Sequence, residues 1–479
     1  MNSTNRKRAL LIAVLLVALA LRLWHIGEPF WVDEAISVQQ AREPITRTLS
    51  LVQDDVHTPL YHLLLNVWVH VFGTTPTSAR LLSVVFSVAS VYAAYRLGND
   101  FYTANTGLYG AAFLAVTETL IHYGQEARPY SLLILLTIIS TYTYLRFLED
   151  QTSSLLAYTA INTAMLYTHI FGALIVASHA IHYLIKRGLR KTTERTELLA
   201  SYAVTGLLFT PWLPTLLSQI SDASLNWITP LTLDQAYHTY FLLFTSPIIL
   251  VIFLLLLVWQ RPKDVSMLYA WAAIPPIAAA AYSLLLQPAF IHRYLLITAP
   301  ALYLLHAHSL DSINNDHVKH VFGAALLIVL SLSSYYPDNF HRDDWNDVNS
   351  FLRDNPSPRA VLLHPHFEQS PFTYQQNPEC FPIDKMKRCN ADHGIYSADP
   401  STCCQDNTSL LATNRTLGQL ASKPIRVIHF KTGHDAPLLS YLNNTGGLHQ
   451  EKALNARRDL PLLPAYHHPK LTIHTYTPN

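Results

Sequence analysis

The sequence carries little charge for its 479 residues: 14% are Asp, Glu, Lys or Arg, and 33 basic against 32 acidic side chains leave a formal net charge of +1. That balance excludes the strongly basic surface expected of a nucleic-acid or polyanion binder. A G-x-x-x-x-G-K-[ST] loop is absent, so no phosphate-cradling nucleotide site is expected. H-E-x-x-H is also absent despite 24 histidines, and His62, His70, His122, His169, His179 and His182 fall at no metal-ligand spacing. Cysteine is missing from the first 379 residues; the four present are Cys380, Cys389, Cys403 and Cys404. An even, clustered set suggests two disulfides in an oxidising compartment. Zinc is the rival ligand, but no C-x-x-C occurs and the adjacent pair Cys403-Cys404 suits a tetrahedral cage poorly. No internal repeat of the kind seen in transporters stands out.

What is abundant is apolar sequence in long blocks, 50% of the chain being hydrophobic. Segments of about 17 to 20 apolar residues match the hydrocarbon thickness of a bilayer when helical, because a helix satisfies its own backbone polar groups. Spans are expected at 9–21, 80–97, 106–122, 130–147, 154–169, 171–186, 197–215, 240–259, 267–285, 294–309 and 319–335, about eleven in all. Arg6, Lys7 and Arg8 precede the first, which reads as a retained anchor with a cytosolic N-terminus, since Arg22, Leu23 and Trp24 make a poor cleavage site. Alternation then puts the basic run 186–195 inside and 28–79, 122–129, 216–238, 286–293 and 336–479 outside. The fold class is therefore mainly α: a polytopic membrane domain over 1–335, followed by an extracytoplasmic α/β domain over 336–479 with short strand-like runs at 360–363, 425–430 and 471–476.

The first outer loop, 28–79, is too long for a tight connector and too apolar for a disordered one. Two amphipathic pieces, "WVDEAISVQQAR" and "PLYHLLLNVWVHVFG", are expected to lie in the membrane interface. Asp33 and Glu34 open the first, and Asp54, Asp55 and His57 precede the second. A carboxylate near an apolar wall can acquire the raised pKa that proton abstraction needs. The same acids can instead be helix N-terminal groups stabilised by the dipole. Arg128 and Arg293 fall at outer span ends, against the basic bias that favours the cytosol, and both are candidate phosphate grips because guanidinium forks bind phosphate oxygens bidentately. Glu126 is a candidate to orient Arg128, His292 a further donor or a loop cap, and Tyr130 and Tyr294 ligands or interface aromatics. Arg22 reads as a snorkelling anchor, and Glu118, inside the third span, as a functional acid or a helix-pairing one.

The series "RLWHIGEPFWVDEAIS", "DDVHTPLYHLLLNVWVHVFG", "ARLLSVVFSVASVYAAYRLG", "HYGQEARPYSLLIL" and "FIHRYLLITAPALYLL", in that order through the first 340 residues, resembles the GT-C membrane glycosyltransferases of the protein mannosyltransferase and aminoarabinose transferase type. The resemblance implies transfer of one sugar from a polyprenyl (dolichyl) phosphate donor to a hydroxyl of a protein, glycan or lipid acceptor at the outer face, with inversion. It implies an essential acid in the first outer loop, carried onto Asp33 with Glu34 beside it. The family's Pro-Pro after the second acidic cluster is here His57-Thr58-Pro59, which leaves the roles of Asp54, Asp55 and His57 open. Some GT-C enzymes hold a divalent cation between the two acidic motifs, which would fall to Asp33 and Asp55; no cofactor is assigned. An oligosaccharyltransferase-like enzyme is a rival, but its W-W-D-x-G motif is absent. A lipid-linked sugar flippase is the rival from another class.

Overall fold

The computed structural model describes residues 3–149, 154–188, 192–222, 228, 230–244, 247–260, 264–335, 353–354 and five strands of the C-terminal region. The four cysteines lie outside the described residues, and so does any helix that would complete an α/β layer after 354. In chain order the helices are α1 Ser3–Leu23, α2 Val32–Ala41, α3 Ile45–Gln53, α4 Leu60–Phe72, α5 Pro76–Phe101, α6 Ala104–Val116, α7 Glu118–Gly124, α8 Tyr130–Leu148 and α9 Ser154–Thr168. They continue with α10 Gly172–Arg187, α11 Thr193–Phe209, α12 Leu213–Asp222, α13 Leu233–Phe244, α14 Pro247–Gln260, α15 Ser266–Leu285, α16 His292–Leu295, α17 Ala299–Asp311 and α18 Asp316–Tyr335. The chain divides into two compact units, one of 1–26, 45–73 and 77–337, the other of 27–44, 74–76 and 338–479.

The first unit is a helical bundle. Among the described helices α5, α8 and α15 are each long and apolar enough to cross a bilayer. α8 packs on α9, α9 on α11, α10 on α15, and α6 on both α1 and α17. Helix starts follow local chemistry: α5 begins with Pro76, whose missing N–H is no loss there, and Thr103 and Thr192 cap α6 and α11 by accepting from the amides of Thr106 and Arg195. The close approach of α5 and α6 demands glycine on both helices, since a Cβ on Gly98 would sit 2.6 Å from the Gly107 Cα and one on Gly107 only 2.5 Å from the Tyr95 carbonyl oxygen. Nearby, Asp311 at the end of α17 accepts from Thr103 Oγ1 at 2.6 Å, Asn105 Nδ2 at 2.9 Å and Lys319 Nζ at 3.1 Å, tying α6, α17 and α18 together.

Several expected spans are interrupted. The segment 106–122 breaks at Thr117, which is extended (φ −71°, ψ 123°), so α6 stops at Val116 and Glu118 opens the separate helix α7. The segment 197–215 is α11, a 3-10 turn at Thr210–Trp212 and the start of α12; the segment 294–309 starts within α16 and passes through a 3-10 turn at Leu296–Thr298 before α17. Apolar content does not report such breaks, because Thr and Pro interrupt a helix without making the window polar. The segment between the first two expected spans holds three helices rather than two, α3 being the addition. Its sequence, "ITRTLSLVQ", is rich in β-branched residues and reads poorly as helix until its apolar side is buried.

The second unit contains α2 and a five-stranded sheet of β1 Ala360–His364, β2 Ile395–Ser397, β3 Ile425–Phe430, β4 Gly446–Ala453 and β5 Leu471–Pro478. The order is β2-β1-β3-β5-β4, with β1 parallel to β2 and β3, and β5 antiparallel to β3 and β4. Three strands lie where the β-branched runs at 360, 425 and 471 predict them; β2 is only three residues long and β4, "GGLHQEKA", opens on two glycines, so neither carries a strand-like pattern.

Candidate functional site

In the helical unit the site is built on the segment between α7 and α8. The main chain turns sharply there, the Arg128 amide donating to the Glu126 carbonyl at 2.8 Å. Arg128 is buried, and its Nη2 donates to His57 Nε2 at 2.6 Å. For that bond to form His57 Nε2 must carry no proton, and burial together with the nearby Arg128 charge holds the His57 pKa well below the usual histidine value of 6.5. The His57 ring stacks on His62 at 5.6 Å, and burial holds His62 down to about 4. Both rings are thus neutral at physiological pH.

Glu126 does not orient Arg128 through its side chain. Its Oε1 meets His122 Nε2 at 2.8 Å, one turn back along the chain, so its link to Arg128 runs through the main chain. The orienting group that sequence reasoning sought is His57, seventy-one residues away and visible only once the fold closes. Among the described residues Thr58 Oγ1, Glu126 Oε2 and Ser131 Oγ are buried without a hydrogen-bond partner, and each belongs to a residue within three positions of His57 or Arg128. Buried orphan oxygens are uncommon and ask for an explanation in ligand or water.

Asp55 turns its Oδ1 onto the amide of Val56 at 2.7 Å, whereas Asp54 is exposed. His292 Nε2 is bonded to the Tyr123 hydroxyl at 2.7 Å, which fixes the start of α16 against α7. Tyr123 and Tyr130 meet edge to face at 5.0 Å, and Tyr130 is 2% exposed, so it is a packed wall residue and no interface belt. Tyr294 lies against His169 at 5.2 Å and Phe171 at 4.9 Å, bringing α16 and the turn between α9 and α10 to one cluster beside the partly buried Arg293.

Arg22 corrects the expectation of a snorkelling anchor. It is 1% exposed and donates to Ser87 Oγ at 2.6 Å and to the carbonyls of Ala18, Ala115 and Leu114 at 3.1, 2.9 and 3.1 Å. The last two carbonyls belong to the final turn of α6, where the break at Thr117 leaves them without the helical partners they would otherwise have. Gln125 reciprocates, its Nε2 donating to the carbonyls of Leu21, Arg22 and Trp24 at 3.2, 3.1 and 2.6 Å. The end of α1 and the strand of chain leading to Arg128 are thereby locked to each other.

In the second unit Asp33 and Glu34 occupy the first turn of α2, after an extended Trp31. Glu34 is fully buried and Asp33 partly so, and the Asp33 carbonyl accepts from Ser37 Oγ at 2.8 Å. Among the described residues no group of three or more His, Cys, Asp or Glu side chains is arranged to hold a metal ion.

The chain shares the fold of ArnT from Cupriavidus metallidurans, aligning with its apo state at a TM-score of 0.58 and 12% identity over 99% of this chain and 98% of that one. The same protein bound to undecaprenyl phosphate aligns at 0.52 and 12% identity, over 98% and 97% of the two chains. Residues 56–214 match the family of dolichyl-phosphate-mannose-protein mannosyltransferases. That match takes in His57 and Arg128, while Asp33, Glu34 and Arg293 lie outside it. No curated protein matches the chain.

Proposed function

We propose that the protein transfers a single sugar from a polyprenyl phosphate donor to an acceptor hydroxyl at the outer membrane face, with inversion at the anomeric carbon. In this reading the acceptor oxygen forms a bond to the anomeric carbon as the bond to the donor phosphate breaks. The phosphate leaves with the electron pair, and Asp33 takes the hydroxyl proton. Asp33 suits that role better than Glu34 because it is partly exposed, whereas Glu34 is fully buried. Arg128 and Arg293 offset the negative charge growing on the phosphate, with His292 and Tyr130 as wall and positioning groups.

The observation that carries the proposal is Arg128 itself. A buried guanidinium is oriented at Nη2 by the His57 ring, and the buried hydroxyls of Thr58 and Ser131, which have no hydrogen-bond partner, occur beside the pair in sequence. Such a group is pre-organised for an anion. The fold supports the same choice, since ArnT from Cupriavidus metallidurans is known bound to undecaprenyl phosphate. The sequence-based topology, with a cytosolic N-terminus and the 336–479 domain outside, belongs to this proposal, as does the division at 335. The acceptor hydroxyl belongs to a protein, a glycan or a lipid. The test is Asp33→Asn in membranes supplied with lipid-linked sugar: transfer is expected to vanish with insertion intact, and full activity would overturn the assignment.

A further inference from the structure

The turn bearing Asp54, Asp55 and His57 follows α3, and the last carbonyls of any helix lack intrahelical partners. Here they are met from a distant element. Gln219 on α12, 7% exposed, directs its Nε2 to the carbonyls of Val52 at 3.0 Å, Gln53 at 3.4 Å and His57 at 3.1 Å. Three acceptors thus converge on one amide nitrogen, spanning the start and the end of the acidic turn. Beside this contact the Val52 side chain packs with Phe209 and Trp212, with Leu216 of α12 against them. The turn is therefore held by an apolar clamp and a polar one, both supplied by the α11–α12 region.

We propose that Gln219 is a positioning residue for the donor-phosphate site, acting through the backbone of His57 on the ring that holds Arg128. The inference rests on the reading of Arg128 as a phosphate grip. The route is short: Gln219 Nε2 to the His57 carbonyl at 3.1 Å, then the His57 ring to Arg128 Nη2 at 2.6 Å. A glutamine suits the task because its amide donates two hydrogens while remaining neutral beside an arginine and two histidines. An ionised glutamate would set a negative charge against three carbonyl oxygens. Sequence inspection passes over Gln219, since a single glutamine in a loop-like stretch has no spacing or charge to mark it.

Freeing the turn also changes the surroundings of His57, which faces Arg128, Asp55, His62 and His169. With the turn loosened, water reaches the ring, its pKa climbs towards 6.5, and protonation removes the acceptor from Arg128. A change that only softened α12 would not create this acid sensitivity.

The experiment measures donor KM, acceptor KM and kcat in reconstituted full-length protein, between pH 5.5 and 8, with a polyprenyl phosphate sugar as donor. Gln219→Leu, which keeps bulk but loses the donor, is expected to raise donor KM about tenfold with acceptor KM unchanged. The increase should grow on acidification. Leu216→Ala, which trims the apolar clamp on the same helix, is expected to lower thermal stability without the acid-dependent donor effect. If Gln219→Leu fails to insert, Gln219→Asn, one methylene shorter, provides the test and should give an intermediate donor KM. Wild-type donor kinetics in whichever Gln219 variant inserts, or the same pH profile in Leu216→Ala, would overturn the inference. Arg128→Ala separates the two levels: if it leaves donor KM normal, the phosphate reading fails, and if it impairs donor use while the Gln219 variants do not, the positioning role alone fails.

Discussion

Replacing Arg22 by methionine removes four hydrogen bonds from a fully enclosed position while keeping an unbranched side chain of similar reach. The cost follows from the acceptors left behind. The carbonyls of Leu114 and Ala115 sit in the last turn of α6, and the break at Thr117 prevents the helix from satisfying them in the usual way. Each buried acceptor stranded in this manner costs about 1–3 kcal/mol, and partial relaxation of the break recovers some of it, so a net loss of about 3 kcal/mol is expected. Lysine, a single ammonium on a flexible stem, reaches one or two of the four acceptors and should recover less than half of that. Thermal unfolding of detergent-solubilised protein measures the loss, and hydrogen exchange at the 114–118 amides localises it. A second perturbation approaches the same node from its neighbour: a Cβ on Gly124 would lie 2.5 Å from Ser87 Oγ and 3.1 Å from Arg22 Nε, so Gly124→Ala should destabilise in the same region. Wild-type melting in Arg22→Met, with unchanged exchange at 114–118, would refute the idea that the guanidinium holds the break.

Arg293→Ala should weaken donor use, and Arg293→Lys should restore little of it if the contact to phosphate is bidentate; normal donor kinetics in both variants remove Arg293 from the site. His57 titrates in a defined direction. Its folded pKa is depressed, so its stabilising acceptor role is fully present above its unfolded value of about 6.5 and is lost as pH falls through the lower folded value. Donor KM should therefore stay flat from pH 8 through 6.5 and rise only at a pH well below that, whereas His57→Asn, whose amide oxygen accepts without titrating, should show a flatter acid limb in the same assay. Gly107→Ala should lower thermal stability by at least about 2 kcal/mol, because the new Cβ meets the rigid Tyr95 carbonyl and the Asn99 amide.

Much of the bundle was legible because hydropathy reports where a helix is buried in lipid or protein, and the segments beginning near 80, 130 and 267 are long and apolar. The breaks were not legible, since Thr117 and the 3-10 turn at Thr210–Trp212 are neutral or apolar and leave the hydropathy average unchanged. Helix α3 was missed because propensity is a weak guide when a short amphipathic segment is stabilised by packing, here of α3 on α4. At the site, sequence order brought out Arg128 and His57 as separate suspects, and only the closed fold pairs them. Arg22 was misread for a related reason: an arginine at the end of an apolar run has the same sequence signature whether it snorkels to water or satisfies orphaned carbonyls inside.

The helical unit secures the neighbourhood of Arg128 from three directions that share no sequence proximity. Gln219 fixes the acidic turn from α12, Arg22 and Gln125 fix the approach from α7 to the end of α1, and the Tyr123–His292 bond fixes α16 against α7. The first uses a side-chain amide, the second an amide and a guanidinium spent on backbone carbonyls, and the third a phenol and an imidazole. At position 57 a carboxylate would hold Arg128 equally firmly but would compete with an incoming phosphate for the same charge, whereas the His57 ring accepts there without adding a negative charge. The argument has a direct consequence: His57→Asp should tether Arg128 at least as tightly, stabilise the fold at neutral pH, and yet raise donor KM more than His57→Asn does. If His57→Asp binds donor as well as the native protein, orientation alone matters and the charge of Arg128 is not what the phosphate uses.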